Sequence, residues 1–207
     1  MYGPILSSAT PEMAPVASVL IYLTMGKMAN YLFGSDDTKK AQLLLTRLYQ
    51  ANTNRFSFQF THVVTLSEKV AGLAITYSGR VMKSLDLPMA LRLVQFTGIL
   101  GFSRFIRRAI PLFGIKEVEN DEYFISNLAV LPEHQGQGLG KFLLQQVEQK
   151  ALELGFHKLS LTVDAENVRA QRLYKHTGFK LIETINIELL RKRIGYAGFY
   201  RMVKDLE

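Results

Sequence analysis

The sequence predicts a mixed α/β fold, and three observations lead to it. An apolar extended run from Ile125 to Leu131 passes through a glycine-rich turn, Gln135 to Lys141, into an amphipathic helical run from Phe142 to Leu154. A second strand-turn-helix unit follows. Its strand pattern ends at Val163, a short polar turn delivers Asn167, and Ala170, Leu173 and Tyr174 share one face of a helix that stops at Gly178. Upstream, Phe56 to Leu66 and Val70 to Tyr77 read as two antiparallel strands joined through the polar turn Ser67-Glu68-Lys69. The 207 residues are enough for one well-packed domain and few for two, so the chain reads as a single domain over 1–207.

In chain order, Thr10-Pro11-Glu12 supplies a helix start: an N-cap hydroxyl, a proline at the first helical position and an acid in the first turn. That helix is expected to run to about Phe33. Gly34 and Ser35-Asp36-Asp37 then restart a second helix through about Ala51, in which Leu43, Leu44, Leu48 and Tyr49 repeat with helical spacing. Residues 81–118 are both apolar and cationic, with one acid, Asp86, against six basic residues between positions 81 and 116. Near the end, Phe179 to Leu190 and Gly198 to Val203 read as two closing strands. Arg191-Lys192-Arg193-Ile194-Gly195 would form the solvated hairpin turn between them.

Composition narrows the chemistry. Cysteine is absent, which removes disulfides, thiolate metal sites and a cysteine-linked acyl intermediate. His62, His134, His157 and His176 are scattered without ligand spacing, so no metal site is expected. The net charge of +7 favours anionic partners, yet no helix-turn-helix, zinc finger or aromatic-and-basic RNA-binding pattern points to nucleic acid. The first eight residues lack the basic and apolar regions of a signal peptide, and no uncharged apolar run reaches the roughly 18 residues of a membrane span. A cytoplasmic location is the default expectation.

The turn Gln135-Gly136-Gln137-Gly138-Leu139-Gly140-Lys141 is the most informative segment. Glycines at a strand-to-helix junction let several N–H groups face an anion, with the positive end of the helix dipole behind them. The spacing matches neither a Walker loop nor a dinucleotide fingerprint. Taken with the stretch Asn167-Val-Arg-Ala170-Gln-Arg-Leu173-Tyr174-Lys-His-Thr-Gly178-Phe179, it resembles the acetyl-CoA-binding core of the GNAT superfamily of N-acetyltransferases. The resemblance covers residues 123–180. It implies a central, mostly antiparallel sheet of six to seven strands, splayed between the fourth and fifth and flanked by helices. Residues 81–118 would then be a helical insertion where the family has a short connection.

The resemblance also implies roles. The amides of Gln135, Gly136, Gln137, Gly138, Leu139, Gly140 and Lys141 would hold the pyrophosphate of acetyl-CoA, and Leu128, Ala129 and Val130 would offer main chain to its pantetheine arm. Asn167 would contact that arm or simply cap its helix, and Tyr174 would be the general acid at sulfur or a packing residue. The family's base positions fall here on Thr162 and Phe124, which cannot serve; Glu122 acting through water is the nominee, with Ser126 or Asn127 ordering a water, or no protein base, as alternatives. The acceptor would be a small-molecule or peptide amine, with residues around Tyr31 and Phe33 either lining its site or serving as core. Three readings compete for the insertion: helices with a solvated basic rim, a wall of the acceptor pocket favouring an acid-bearing acceptor, or a face for peripheral membrane contact or a homodimer. A non-catalytic CoA-binding module is the rival to an enzyme.

Overall fold

The structure is a computed structural model that describes residues 3–34 and 36–207. Ser35, assigned above to a helix start, and the first two residues of the leader reading lie outside the described residues. The strands are β1 (Ile5–Ser8), β2 (Thr61–Leu66), β3 (Lys69–Ser78), β4 (Tyr123–Val130), β5 (Lys158–Asp164), β6 (Lys180–Asn186) and β7 (Gly198–Asp205). The helices are α1 (Ala14–Met25), α2 (Lys27–Ala29), α3 (Thr38–Gln50), α4 (Gly79–Ser84), α5 (Asp86–Ala109), α6 (Leu139–Glu153), α7 (Val168–His176) and α8 (Glu188–Ile194).

The seven strands form one sheet in the order β1-β2-β3-β4-β5-β7-β6, with every pairing antiparallel except β4 with β5. That parallel pair lasts only from Tyr123, Phe124 and Ile125 to Leu159, Ser160 and Leu161, after which the strands part. Helices α1 and α3 to α5 cover one face through Leu20, Ile21, Leu45, Leu48, Leu73, Ile75 and Leu93. Helices α6 and α7 cover the other through Leu143, Leu144, Val147, Leu159, Leu161 and Met202. A separate small cluster joins Met28 and Tyr31 to Leu190, Tyr196 and Phe199.

Several boundaries differ from the sequence reading. The helix expected from Thr10 to Phe33 breaks at Gly26, whose φ of 52° only glycine adopts readily, and the segments on either side meet at 105°. Thr10 stands at the cap position before Pro11 without a side-chain cap bond, whereas Asp37 caps α3 by accepting from the amides of Lys39 and Lys40. Residues Phe58–Phe60 form a 3-10 turn rather than strand. Ser67 and Glu68, both with positive φ, make the tight hairpin turn between β2 and β3. The edge strand β1 carried no sequence signal. At the C-terminal end, the supposed strand and solvated turn over 187–194 are instead α8, where Ile187 and Leu190 bury one face and the basic residues point out.

Within residues 81–118, α4, α5 and a 3-10 turn at Ile110–Leu112 are helical, and the chain from Phe113 to Val118 is not. The stretch Asp86–Leu112 reaches, by length and a mean hydropathy of 1.2, what a membrane-crossing helix needs. It is not straight, however, because Gly98 (φ 71°, ψ 174°) breaks it. Its apolar side chains divide between the protein interior and an outer face where Leu87, Leu91, Ile99 and Leu100 are exposed.

Glu122 sits buried beside β4, where its carboxylate accepts from the Arg201 guanidinium and from the Glu119 amide. Removing one partner of such a pair leaves an uncompensated buried charge or donor. Glu122→Gln should therefore cost about 3 kcal/mol in chemical denaturation; a variant as stable as the unsubstituted protein would reverse this assignment.

Candidate active site

One cavity of about 1100 Å³ runs along the gap between β4 and β5 and has two arms. The first arm lies at the start of α6. None of the six successive amides from Gly136 to Lys141 donates to a protein acceptor among the described residues; the first donor beyond them is Phe142, to the Gly138 carbonyl. Gly136 and Gly138 adopt φ of 82° and 81° with open space where a Cβ would stand, which turns the amides toward solvent. At Gly140, a Cβ would come within 3.2 Å of Leu173, so glycine lets α6 begin close against α7. A row of unpaired amides at a helix N-terminus fits a pyrophosphate.

Side chains around the cradle are less free than their types suggested. Gln135 donates to the Val130 carbonyl and accepts from Arg169, which fixes the cradle to both β4 and α7. Gln137 folds back on the Glu133 carbonyl and alone of the seven turn residues does not line the cavity. Lys141 and Arg169 supply the charge of this arm.

Along β4, the Leu131 amide donates to the Ala71 carbonyl on β3. By strand alternation Ala129 also faces β3, and Leu128 and Val130 turn their main chain to the gap. A bulge at Ser126 marks the same place, because Ile75 pairs with Asn127 while Thr76 pairs with Ile125. Asn127 is not available to order a water alone: it accepts from Ser126 and donates to Thr24 at 2.6 Å, tying the bulge to the end of α1. Asn167 caps α7 by accepting from the Ala170 amide, as its alternative role required, and its side-chain amide donates to no protein group among the described residues. Tyr174 is buried with its ring against Phe179, and burial pushes its phenol up to about 12, so it stays protonated at neutral pH.

The second arm lies between the end of α1 and α5. Phe33 lines it, whereas Tyr31 packs beneath the Arg108 guanidinium in the small cluster. Glu122 does not line it. Three other carboxylates do: Asp86, Glu117 and Asp164. Arg55 holds Asp86 at 2.6 Å and Glu117 at 3.2 Å. Burial raises the Glu117 pKa above the ordinary carboxylate value despite that partner. Burial likewise raises Asp164, with the Glu166 amide opposing.

Asp164 is the residue that the sequence reading missed. It lies two positions after Thr162 on the same strand face, and counting from the last parallel pair, Ile125 with Leu161, brings it level with Leu128 across the gap. Strand alternation alone would have found it. Arg55 and Glu117, in irregular segments, had no such signal.

The lining is electrostatically divided. The cradle arm carries Lys141 and Arg169 with no carboxylate, while the other arm carries Asp86, Glu117 and Asp164 against Arg55 alone. None of the six basic residues between 81 and 116 lines this cavity. Residues from this stretch thus line one wall of the cavity, and the charged side chains that they bring to it are Asp86 and Glu117.

A sheet splayed at one parallel pair, with an anion cradle at the splay, defines a class of acyl-CoA-binding folds. The chain belongs to the acetyltransferase (GNAT) family, whose match covers residues 44–179. It is 40% identical over 67 residues to a [ribosomal protein bS18]-alanine N-acetyltransferase of Escherichia coli, across 32% of this chain and 45% of that enzyme. It is 43% identical over 56 residues to a mycothiol acetyltransferase of Jonesia denitrificans, across 27% of this chain and 18% of that enzyme. These alignments thus span less than half of each relative. A crystal structure of an acetyltransferase superposes with a TM-score of 0.72 at 25% identity, covering 98% of this chain and all of that one.

Saturating acetyl-CoA should raise the melting temperature by about 5–10 °C at a hundred times its Kd. Gly138→Glu, which places a strained carboxylate at the cradle, should abolish that rise while leaving the circular dichroism unchanged. A full shift in the variant would remove the cradle assignment.

Proposed function

We propose that the protein is an acetyl-CoA-dependent N-acetyltransferase that acts on a primary amine by direct attack within a ternary complex, residues 1–207 forming one catalytic domain. The observation that carries this reading is the charge division of one continuous cavity: a cationic arm suited to a polyphosphate meets an anionic arm suited to an ammonium at the splayed strands.

Acetyl-CoA supplies the acetyl group as a thioester. The amides from Gly136 to Lys141, with Lys141 and Arg169, hold its phosphates; Leu128 and Val130 pair main chain with its amide arm, Ala129 packs beside it, and Asn167 donates its free side-chain amide. The Leu128 amide donates to the oxygen on which negative charge develops. Asp164 accepts the proton from the acceptor nitrogen, taking the part that Glu122 cannot fill from its ion pair with Arg201. Tyr174 returns a proton to the departing sulfur. With no cysteine in the chain, no acyl-cysteine intermediate competes with this route.

Thr162 and Phe124 at the family's base positions favour a second reading, a CoA-binding module without catalysis. Asp164 separates the two. Asp164→Asn should lower kcat/KM by roughly 100-fold or more and remove the acidic limb of its pH profile. The sign follows from burial: the carboxyl is active when ionised, so its raised pKa places that limb at higher pH than an exposed aspartate would. Tyr174→Phe should lower kcat with the acetyl-CoA melting shift retained. Acetyl-CoA binding without turnover on any amine would leave the module reading standing.

A further inference from the structure

The acceptor arm is more apolar than recognition of an amine requires. From Met82 to Ile115, the wall facing the cavity includes Met89, Leu93, Phe102, Phe105, Ile106 and Phe113, and Asp86 is the sole polar side chain that this stretch contributes. The wall is a built surface. Phe105 stacks on Phe33 with ring centroids 5.7 Å apart, and Phe102 lies against Phe105 at 6.5 Å.

Tyr77, on β3, is 3% exposed, lines the cavity beside Ser126 and has a buried hydroxyl that makes no hydrogen bond of good geometry among the described residues. An unpaired buried hydroxyl costs stability unless something reaches it. Phe124, its cross-strand partner, lies four residues before Leu128, so the arm extends roughly 13 Å from the reacting end at 3.3 Å per residue. The three carboxylates against one guanidinium favour cations along its length.

We propose, resting on the acetyltransferase reading, that the acceptor is an amphiphilic primary amine: a cationic head that reaches Asp164 and an aliphatic or aromatic body of about six or more carbons lying under α5. An extended peptide fits less well, because its backbone amides would be buried against a wall that offers them one polar side chain.

The test measures kcat/KM for 1-aminobutane, 1-aminohexane and 1-aminooctane beside lysine and an alanine-initiated peptide, with the acetyl-CoA melting shift recorded in parallel. Kcat/KM should rise about three- to fourfold per added methylene, the equivalent of burying each in an apolar site. The bulky variant Ala90→Phe, at a half-buried wall position, should lower the octyl-to-butyl ratio of kcat/KM severalfold while leaving the cofactor shift unchanged. A flat chain-length series with turnover of lysine or the peptide would overturn the acceptor class and leave acetyl transfer intact. Absence of the cofactor shift would overturn the underlying reading instead. If Ala90→Phe unfolds, the wild-type chain-length series alone decides.

Discussion

Strands β4 and β5 are hydrogen-bonded partners for three residue pairs, and then each loses the other. Parallel strands inside a sheet ordinarily satisfy one another's main chain along their shared length. Here the Ser126 bulge and the divergence after Ile125 leave the inner edge of β4 without a partner strand where it meets the cavity. That vacancy in the ladder aligns the free edge of Leu128 and Val130, the amide cradle of α6 and the Asp164 carboxylate around one gap. A sheet paired to the end would close the passage between the two arms. Asn127 and Thr24 hold the opening in place, since their 2.6 Å hydrogen bond ties the bulge to α1.

Electrostatics gives the gap a direction. A chain with a net charge of +7 could bring anions to many places, yet its cavity sorts charge by function. Backbone amides and two cations gather on one side, three carboxylates on the other. The buried Glu122–Arg201 pair, just outside, is self-neutralised and adds nothing to either arm. Burial acts on both residues proposed to move protons: it keeps the Tyr174 phenol protonated and raises the Asp164 carboxyl pKa above that of an exposed aspartate.

The sequence displayed the cofactor half plainly because that half is made of local pattern. Gly136, Gly138 and Gly140 answer to backbone needs within a single turn, and Asn167 to Tyr174 answer to one helical face. The acceptor half was hidden because its parts come from distant, irregular segments: Arg55 from a loop, Glu117 from the extended passage before β4. Glu122 was chosen by strand alternation, but alternation carries no information about Arg201 arriving from β7 to claim it. Asp164 failed to appear for a narrower reason, a search confined to two family positions. The Gly26 break and α8 were misread because isolated glycine is tolerated in a helix, and because a charged run reads equally as turn or helix until one apolar side, Ile187 and Leu190, finds a partner.

Gly98 divides α5 into two limbs, and an unbroken helix of 24 residues would be a rod of about 36 Å. Kinked at that joint, the second limb sets Phe105 on Phe33, with Phe102 lying against Phe105. The depth of the room beneath is thus governed by the torsion of one residue on the outside of the molecule. Descendants of this architecture could admit longer or shorter guests by shifting that elbow, without rewriting a single group that performs the chemistry.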